Sequence, residues 1–328
     1  MMPTKIEISY KTILFILFVL ILLWVTYQIL EIILLVFVAF IIMSAIRPLV
    51  DILEKKKIPR VIGTLLVYLV FVGILTFILT SLVPPFITQM IHMINLLPNL
   101  IGTALPFTQI NLSSLTQQIA PVSENIFKVT VGIFNNVFTI LTLFVVSIYM
   151  VLERRNLDKQ LTLFFGGSTG KRIFEYVIKV EERLGYWVRG QLALGVTIGV
   201  VTGIALFILG LPYALPLGIL AGVLEFIPII GPIIAMIPSV LLALTMSPIL
   251  ALITIGVYIL IQQFEAHIVV PLVMKTVVGL PPLATIIAFL IGAKLGGIVG
   301  ALLAIPVLVT VSTIISEYIR ISNLPRQS

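Results

Sequence analysis

The chain has no cysteine, two histidines, two tryptophans and little charge, with Asp, Glu, Lys and Arg making up only 10% of its 328 residues. The missing cysteines exclude disulfides, thiolate metal sites and a thiol nucleophile. The scarcity of charge excludes a soluble globular protein, whose charged fraction is about 25%. Enzyme motifs are also wanting. GGSTG, Gly166 to Gly170, matches the G-x-S-x-G hydrolase pattern with Ser168 in the nucleophile position, but that elbow needs a strand before it and a histidine partner. The histidines available are His92, expected outside the cell, and His267. There is no HExxH, and Phe165 stands where a phosphate-binding loop would need its first glycine. No catalytic residue, metal site or cofactor is therefore expected, and nothing implies ATP.

What is present is apolar: 60% of the residues are hydrophobic and the mean hydropathy is +1.25. This is the composition of an all-α polytopic membrane protein. The net charge of +7 could suggest nucleic acid. However, the basic residues sit in loops flanking apolar segments, so their partners are anionic headgroups and no nucleic acid is expected. The apolar run starting at Ile13 outlasts a signal peptide's short core and lacks a small-residue cleavage site, so a span is expected there and not a cleaved leader.

Residues 1–83 are read as three spans. Thr12 to Ile46 is too long for one crossing and enough for two, with the turn at Gln28 and Glu31; a third runs from about Val61 to Val83. Between them RPLVDILEKKKIPR, Arg47 to Arg60, carries the strongest positive-inside signal in the chain. Residues 84–128 turn polar with a single lysine and read as an external segment, and a fourth span covers 129–152. Residues 153–190 are basic again. Within them Ile173, Val177, Val180, Leu184 and Trp187 form one apolar stripe of an amphipathic helix, expected to lie on the membrane or on a neighbouring protomer. This charge pattern puts both termini in the cytoplasm of a multi-pass cell-membrane protein.

Residues 191–328 hold the most informative stretch, GVLEFIPIIGPIIAMIP, Gly222 to Pro238. Pro228 and Pro232 each remove a backbone donor from an apolar run, which predicts a broken helix at membrane depth facing protein or a watery cavity. Apolar helices at about 192–209 and 249–270 are each followed by GLP, at Gly210 and Gly279. At the same offset of 69, Gly231 falls on Gly300, Ala235 on Ala304 and Ile229 on Ile298, while Pro238 meets Pro306 after a one-residue slip. The pattern predicts repeats 191–245 and 249–318, each a spanning helix plus a hairpin of two half-helices, inverted relative to one another. The expected total is about eight membrane segments, including the two broken or re-entrant hairpins.

Charges at membrane depth cost about 2.5–3.5 kcal/mol each on the insertion scale, so each needs a partner or a purpose. Glu225, Glu265 and Lys294 are the candidates, with Gln262 and Gln263 beside Glu265 and with Pro228 and Gly231 shaping the break. Gln262 and Glu265, at i and i+3, share a face. They read either as ties between helices or as a polar lining for a small hydroxylated substrate or a cation. His267 reads as an interfacial side chain. Arg189 and Gln191 open the helix at 192, where Arg189 either anchors to lipid phosphate or closes an inner gate. At offset 69 Glu225 and Lys294 are equivalent, which predicts that they face each other across the substrate site.

YWVRGQ (Tyr186 to Gln191), LGLPYALPLGILAGVLEFIPIIGPIIAMIP (Leu209 to Pro238), QQFEAHIVVPLVMKTVVGLPPL (Gln262 to Leu283) and GGIVGALLAIPV (Gly296 to Val307) resemble the autoinducer-2 exporter family of permeases, in order over nearly the whole chain. The resemblance implies an inner-membrane secondary carrier, assembled as a homo-oligomer, a pentamer, with autoinducer-2 as one cargo and sodium or lithium exchange for protons in other members. The expected function is gradient-coupled export of small polar solutes through a site between the two hairpins. The alternative is a sodium(lithium)/proton antiporter taking a monovalent cation; a channel or a non-transporting scaffold ranks below both. The driving force in either carrier is a proton or sodium gradient.

Overall fold

The computed structural model describes residues 10–78, 80, 84, 88, 137–227, 230–273 and 281–322. Among them every regular element is a helix. Five helices are long and apolar enough to cross a membrane: Leu30–Lys55, Arg60–Ile78, Gly167–Ile208, Pro248–Leu272 and Leu283–Arg320. Shorter apolar helices include Phe138–Glu153, Ala214–Leu224 and Ile230–Met246. The external segment expected at 84–128 lies outside the described residues apart from 84 and 88.

The first helix, α1 (Tyr10–Gln28), leads into α2 (Leu30–Lys55). The reversal expected at Gln28 and Glu31 does not occur. Ile29 N–H bonds Val25 O and Ile33 N–H bonds Ile29 O, both at 3.0 Å, so the helical ladder carries through the junction. The physical reason is plain: neither glycine nor proline stands there to break it, and polar residues alone do not turn a helix. Next come α3 (Arg60–Ile78) and, after the undescribed stretch, α4 (Val137–Glu153).

A short α5 (Leu157–Phe165) turns at Gly166 into α6 (Gly167–Ile208). Gly166 has φ +83°, the left-handed region that glycine alone enters without strain. The amphipathic segment and the span expected at 192–209 are thus one rod of 42 residues, about 63 Å at 1.5 Å per residue. The second half of its stripe is covered by the chain itself, while Ile173 and Val177 are only half-buried. Val180, Leu184 and Trp187 are buried inside the chain against Ile41 of α2 and Ile305 and Val309 near the C-terminus. Stripe periodicity shows that a face is covered but not by what, which is why the sequence left the wrong partner open.

Ionic contacts lock the same end. Glu181, 2% exposed, pairs with Arg47 of α2 and with Arg154 at the end of α4. Arg60 binds Asp51 and Glu54, both at 3.0 Å, and donates to Val151 O. The basic motif 47–60 therefore ties α2, α3, α4 and α6 together.

Two hairpins follow. The first joins α7 (Ala214–Leu224) to α8 (Ile230–Met246), and α7, about 17 Å long, is too short to cross a 30 Å hydrocarbon core. The next element, α9 (Pro248–Phe264), begins with Ser247 capping Ile249 N–H. The last, α10 (Pro282–Ser322), breaks at Gly296 and Gly297, the latter at φ +57°, ψ −137°. A straight helix would hold residues 292 and 300 about 12 Å apart. Here a Cβ on either glycine would strike the other's carbonyl oxygen, so α10 folds back on itself. Gly231 does the same in the first hairpin, where its missing Cβ makes room for Leu224 O. The equivalence of Gly231 and Gly300 read from the offset thus has a common structural role: each closes its hairpin just past the break. Ala235 and Ala304, also equivalent, are both buried.

Candidate functional site

The first hairpin is held against α6 by a seam without side chains. Gly195 and Gly199 of α6 meet Gly222 and Gly218 of α7; a Cβ on Gly195 would lie 2.6 Å from Gly222 O, and one on Gly218 would lie 2.6 Å from Gly199 O. Small residues four apart let two helices approach backbone to backbone, which in lipid is a main source of association. One turn beyond the seam, Gln191 Nε2 donates to Glu225 O at 2.7 Å, both groups buried. The end of α7 is therefore fixed to α6 at Glu225.

The third wall is α9. Tyr258, Gln262 and Glu265 recur at i, i+4 and i+7 on one face. Tyr258 Oη is anchored to Ser239 Oγ of α8 at 2.8 Å, and Gln262 Nε2 donates to Glu265 Oε2 at 3.2 Å. At Glu265 the helix widens into a π-turn, Glu265–Val269, in which Val270 N–H bonds Glu265 O. Such single π-turns reset the facing of the residues they carry and recur at functional sites.

Between these walls lies a cavity of about 10 Å³, lined by Thr202, Glu225, Pro232, Tyr258, Gln262 and Glu265 among others. That is room for about one water molecule. Glu225 is 4% and Glu265 8% exposed, and both line this one cavity. Glu225 Oε2 and Thr202 Oγ1 are buried without a hydrogen-bond partner. Among the described residues no lysine or arginine pairs with either glutamate. Two like charges 4 Å apart repel by about 4 kcal/mol at an effective dielectric of 20, and burial adds a desolvation cost. Keeping both carboxyls charged and dry in this site would therefore be costly.

Comparison with known proteins agrees with a membrane transporter. A family described as "AI-2E family transporter" matches residues 13–320. The chain belongs to the AI-2E transporter family. Relatives named as transport proteins include YueF of Bacillus subtilis (strain 168), 29% identical over 316 residues, covering 88% of this chain and 84% of YueF. MT0215 of Mycobacterium tuberculosis (strain CDC 1551 / Oshkosh) is 29% identical over 286 residues, 79% of this chain and 75% of its own. As an AI-2E family member, the chain is a multi-pass membrane transporter.

In this AI-2E protein, Glu225, Glu265, Gln262 and Gly231 come together at the first hairpin. Gln191 joins them through the Glu225 carbonyl. Pro228 lies outside the described residues. Gln263 is exposed beside the site, its carbonyl 3.0 Å from His267 Nδ1, and His267 is exposed too. Arg189 donates to Ser44 O at 3.2 Å and stacks over Tyr186, so it ties α6 to α2; among the described residues no carboxylate pairs with it.

The expected pairing of Glu225 with Lys294 is corrected: Glu225 shares its cavity with Glu265, and Lys294 is exposed on α10 outside that lining. Equivalence by repeat did not bring them together, because the lead helix of the second unit, and not its hairpin, packs on the first break. Ser168 of the GGSTG motif is exposed in the first turn of α6, with a helix before it and no strand. Thr202 and Tyr258 were missed. The i, i+4, i+7 series ending at Glu265 could have found Tyr258; a lone threonine in an apolar span gives no signal.

Proposed function

We propose that this transporter is a gradient-coupled secondary carrier in which the Glu225–Glu265 pair binds and releases the coupling ion. The observation that carries the reading is the unpartnered Glu225 Oε2 aimed into a cavity that a second buried carboxyl shares. A group in that state is stable only while a proton or cation is present, so occupancy of the ion and the geometry of the hairpin are linked. The hairpin break and the π-turn supply two backbone irregularities that could rearrange as the ion leaves.

For cargo, the reading is a small polar solute leaving the cell, with autoinducer-2 the first to try, a choice the family description supports. The cavity favours a second reading. At about 10 Å³ it admits a proton, a water or a bare monovalent cation but no multi-atom solute, which supports sodium(lithium)/proton exchange. The distribution of basic loops supports a cell-membrane location with both termini cytoplasmic.

Purified protein in proteoliposomes with an imposed pH gradient and an internal pH dye tests both readings. Proton efflux on adding Na⁺ or Li⁺ supports the antiporter; efflux only with a hydroxylated solute supports the exporter. Glu225→Gln and Glu265→Gln should each abolish the response. A flux that either variant leaves intact would overturn the proposal.

A further inference from the structure

Thr202 breaks a habit that other threonines of these helices keep. Thr197 of the same helix α6, Thr254 of α9, and Thr310 and Thr313 of α10 each donate to the carbonyl four residues back, the usual refuge for a hydroxyl in an apolar helix. Thr202 is 0% exposed and its Oγ1 has no hydrogen-bond partner. Its side chain instead lines the cavity that Glu225 and Glu265 share. A buried hydroxyl left unpaired bears the full desolvation penalty of the group, so its place on that wall calls for a function.

Position along α6 narrows what the function can be. The glycine seam sets α6 and α7 antiparallel, with Gly195 at Gly222 and Gly199 at Gly218, and Gln191 reaches Glu225 O. Glu225 is therefore level with Gln191, whereas Thr202 stands about 16 Å further along the rod, beyond the joint reach of the two side chains. On α9, Tyr258 stands about 10 Å from Glu265. It packs in the same apolar cluster as Leu206, one turn past Thr202, and its Oη is tied to Ser239 Oγ. The cavity is thus a narrow slot with the two carboxyls at one end and the hydroxyls of Thr202 and Tyr258 at the other.

The slot has a direction in the membrane. Glu181, held by Arg47 and Arg154, lies about 15 Å from Gln191 on the opposite side from Thr202. From that ion cluster to Thr202 is about 32 Å, close to the roughly 30 Å thickness of the hydrocarbon core. The carboxyl pair is therefore near mid-depth, and Thr202 is near the face opposite the cluster. Toward the cluster the way is filled, because Leu184 and Trp187 are buried against Ile305 and Val309 and Gln191 clasps the Glu225 backbone. Toward the far face the slot carries hydroxyls as far as the buried Leu206, Leu211 and Leu242, which cap it.

We infer that Thr202 is a transit station for the coupling ion, a hydroxyl that meets the ion as it passes between the Glu225–Glu265 pair and the face opposite the Glu181 cluster. The inference rests on reading that pair as the coupling-ion site. A small cation leaving two carboxyls must regain water, and a buried water needs roughly two to four polar partners. The slot has room for about one water, and Thr202 Oγ1 can accept a hydrogen bond from it or donate one to it. A hydroxyl serves a hydrated metal cation and a hydronium alike, so the station does not depend on which of them is carried.

The chain has no cysteine, so Thr202→Cys gives a single thiol. During gradient-driven turnover in sealed vesicles, the impermeant reagent sulfonatoethyl methanethiosulfonate should modify it from the face opposite the one that modifies Ser168→Cys, which is exposed at the start of α6. Modification from the Ser168 face, or none, would overturn the inference. In proteoliposomes Thr202→Val should lower the maximal coupled proton flux about five- to tenfold, the worth of one hydrogen bond, and leave the half-saturating external proton concentration unchanged. Thr202→Ser, which keeps the hydroxyl, should restore the rate. A shifted half-saturation would make Thr202 a ligand of the bound ion, and equal rates for Thr202→Val and Thr202→Ser would reduce its role to packing; either result sinks the station. Glu225→Gln separates the two levels of the argument. Flux lost in that variant while Thr202→Val runs at the wild-type rate removes the station alone, whereas flux intact in Glu225→Gln removes the pair as the ion site and the station with it.

Discussion

Adding one methyl group to Gly195 should damage both stability and transport. The new Cβ would lie 2.6 Å from Gly222 O, whereas ordinary contact begins at 3.4 Å, a shortfall of about 0.8 Å. The obstacle is backbone on both sides, so the strain can be relieved only by parting α6 and α7. Parting them by that amount would stretch the Gln191 Nε2 to Glu225 O bond from 2.7 Å to about 3.5 Å, the limit of a hydrogen bond. Overpacking costs about 1–3 kcal/mol, and the weakened buried bond adds about 1 kcal/mol. Helix propensity returns up to about 1 kcal/mol for Gly→Ala, leaving a net loss of about 1–3 kcal/mol. The control is Gly256→Ala in α9, where nothing lies within 4 Å of the added atom; it should be neutral or stabilising by up to about 1 kcal/mol. Denaturant unfolding in detergent measures stability, and proteoliposome flux measures whether Glu225 has moved. If Gly195→Ala unfolds and transports like wild type, the seam does not position the site.

Thr202→Val keeps the shape of the side chain and removes a buried hydroxyl that has no partner. It should stabilise the protein by about 1 kcal/mol while lowering coupled flux, a divergence that unfolding and transport assays on one preparation would show. Glu181→Gln strands the buried Arg154 beside a neutral amide, while Arg47, about a third exposed, keeps Asp51, so unfolding should show a loss of about 3 kcal/mol. Lys294→Ala alters an exposed side chain with no ion pair among the described residues, so both stability, within about 0.5 kcal/mol, and flux should match wild type.

Much of this was legible because membranes simplify the code. Apolar run length located the apolar helices, though not the continuity of α1 with α2, and the Gly231–Gly300 equivalence marked where each hairpin closes, since at membrane depth a break must be written into the backbone chemistry. Glu225 and Glu265 stood out because charge in an apolar run is expensive. Packing was less legible. The Val180–Leu184–Trp187 stripe named a covered face without its partner, and Gln28 and Glu31 suggested a reversal because polar residues accompany turns without causing them. The Gly195–Gly222 contact was invisible for a similar reason: glycines four apart occur in several helices here, and only their coincidence across two of them makes a seam.

The two hairpins are alike in how they close and unlike in what they hold, and this asymmetry bears on mechanism. Each folds at a glycine that admits a carbonyl oxygen, Gly231 to Leu224 and Gly300 to Gly292. At the offset-equivalent position one carries the buried Glu225 and the other the exposed Lys294. A site shared equally between hairpins would need polar groups from both. The cavity instead takes its second acid from α9, the helix that leads into the second hairpin, at a π-turn immediately before it. The second hairpin reaches the rest of the chain through Ile305 and Val309, which pack on Leu184 and Trp187 of α6. Any movement of the second unit would thus be felt at Glu265 through α9 and at the lower half of α6 through α10. The first route ends on Glu265 itself and the second on α6 one turn before Gln191, so the coupling ion proposed above would sense both hairpins without either one contributing the whole site.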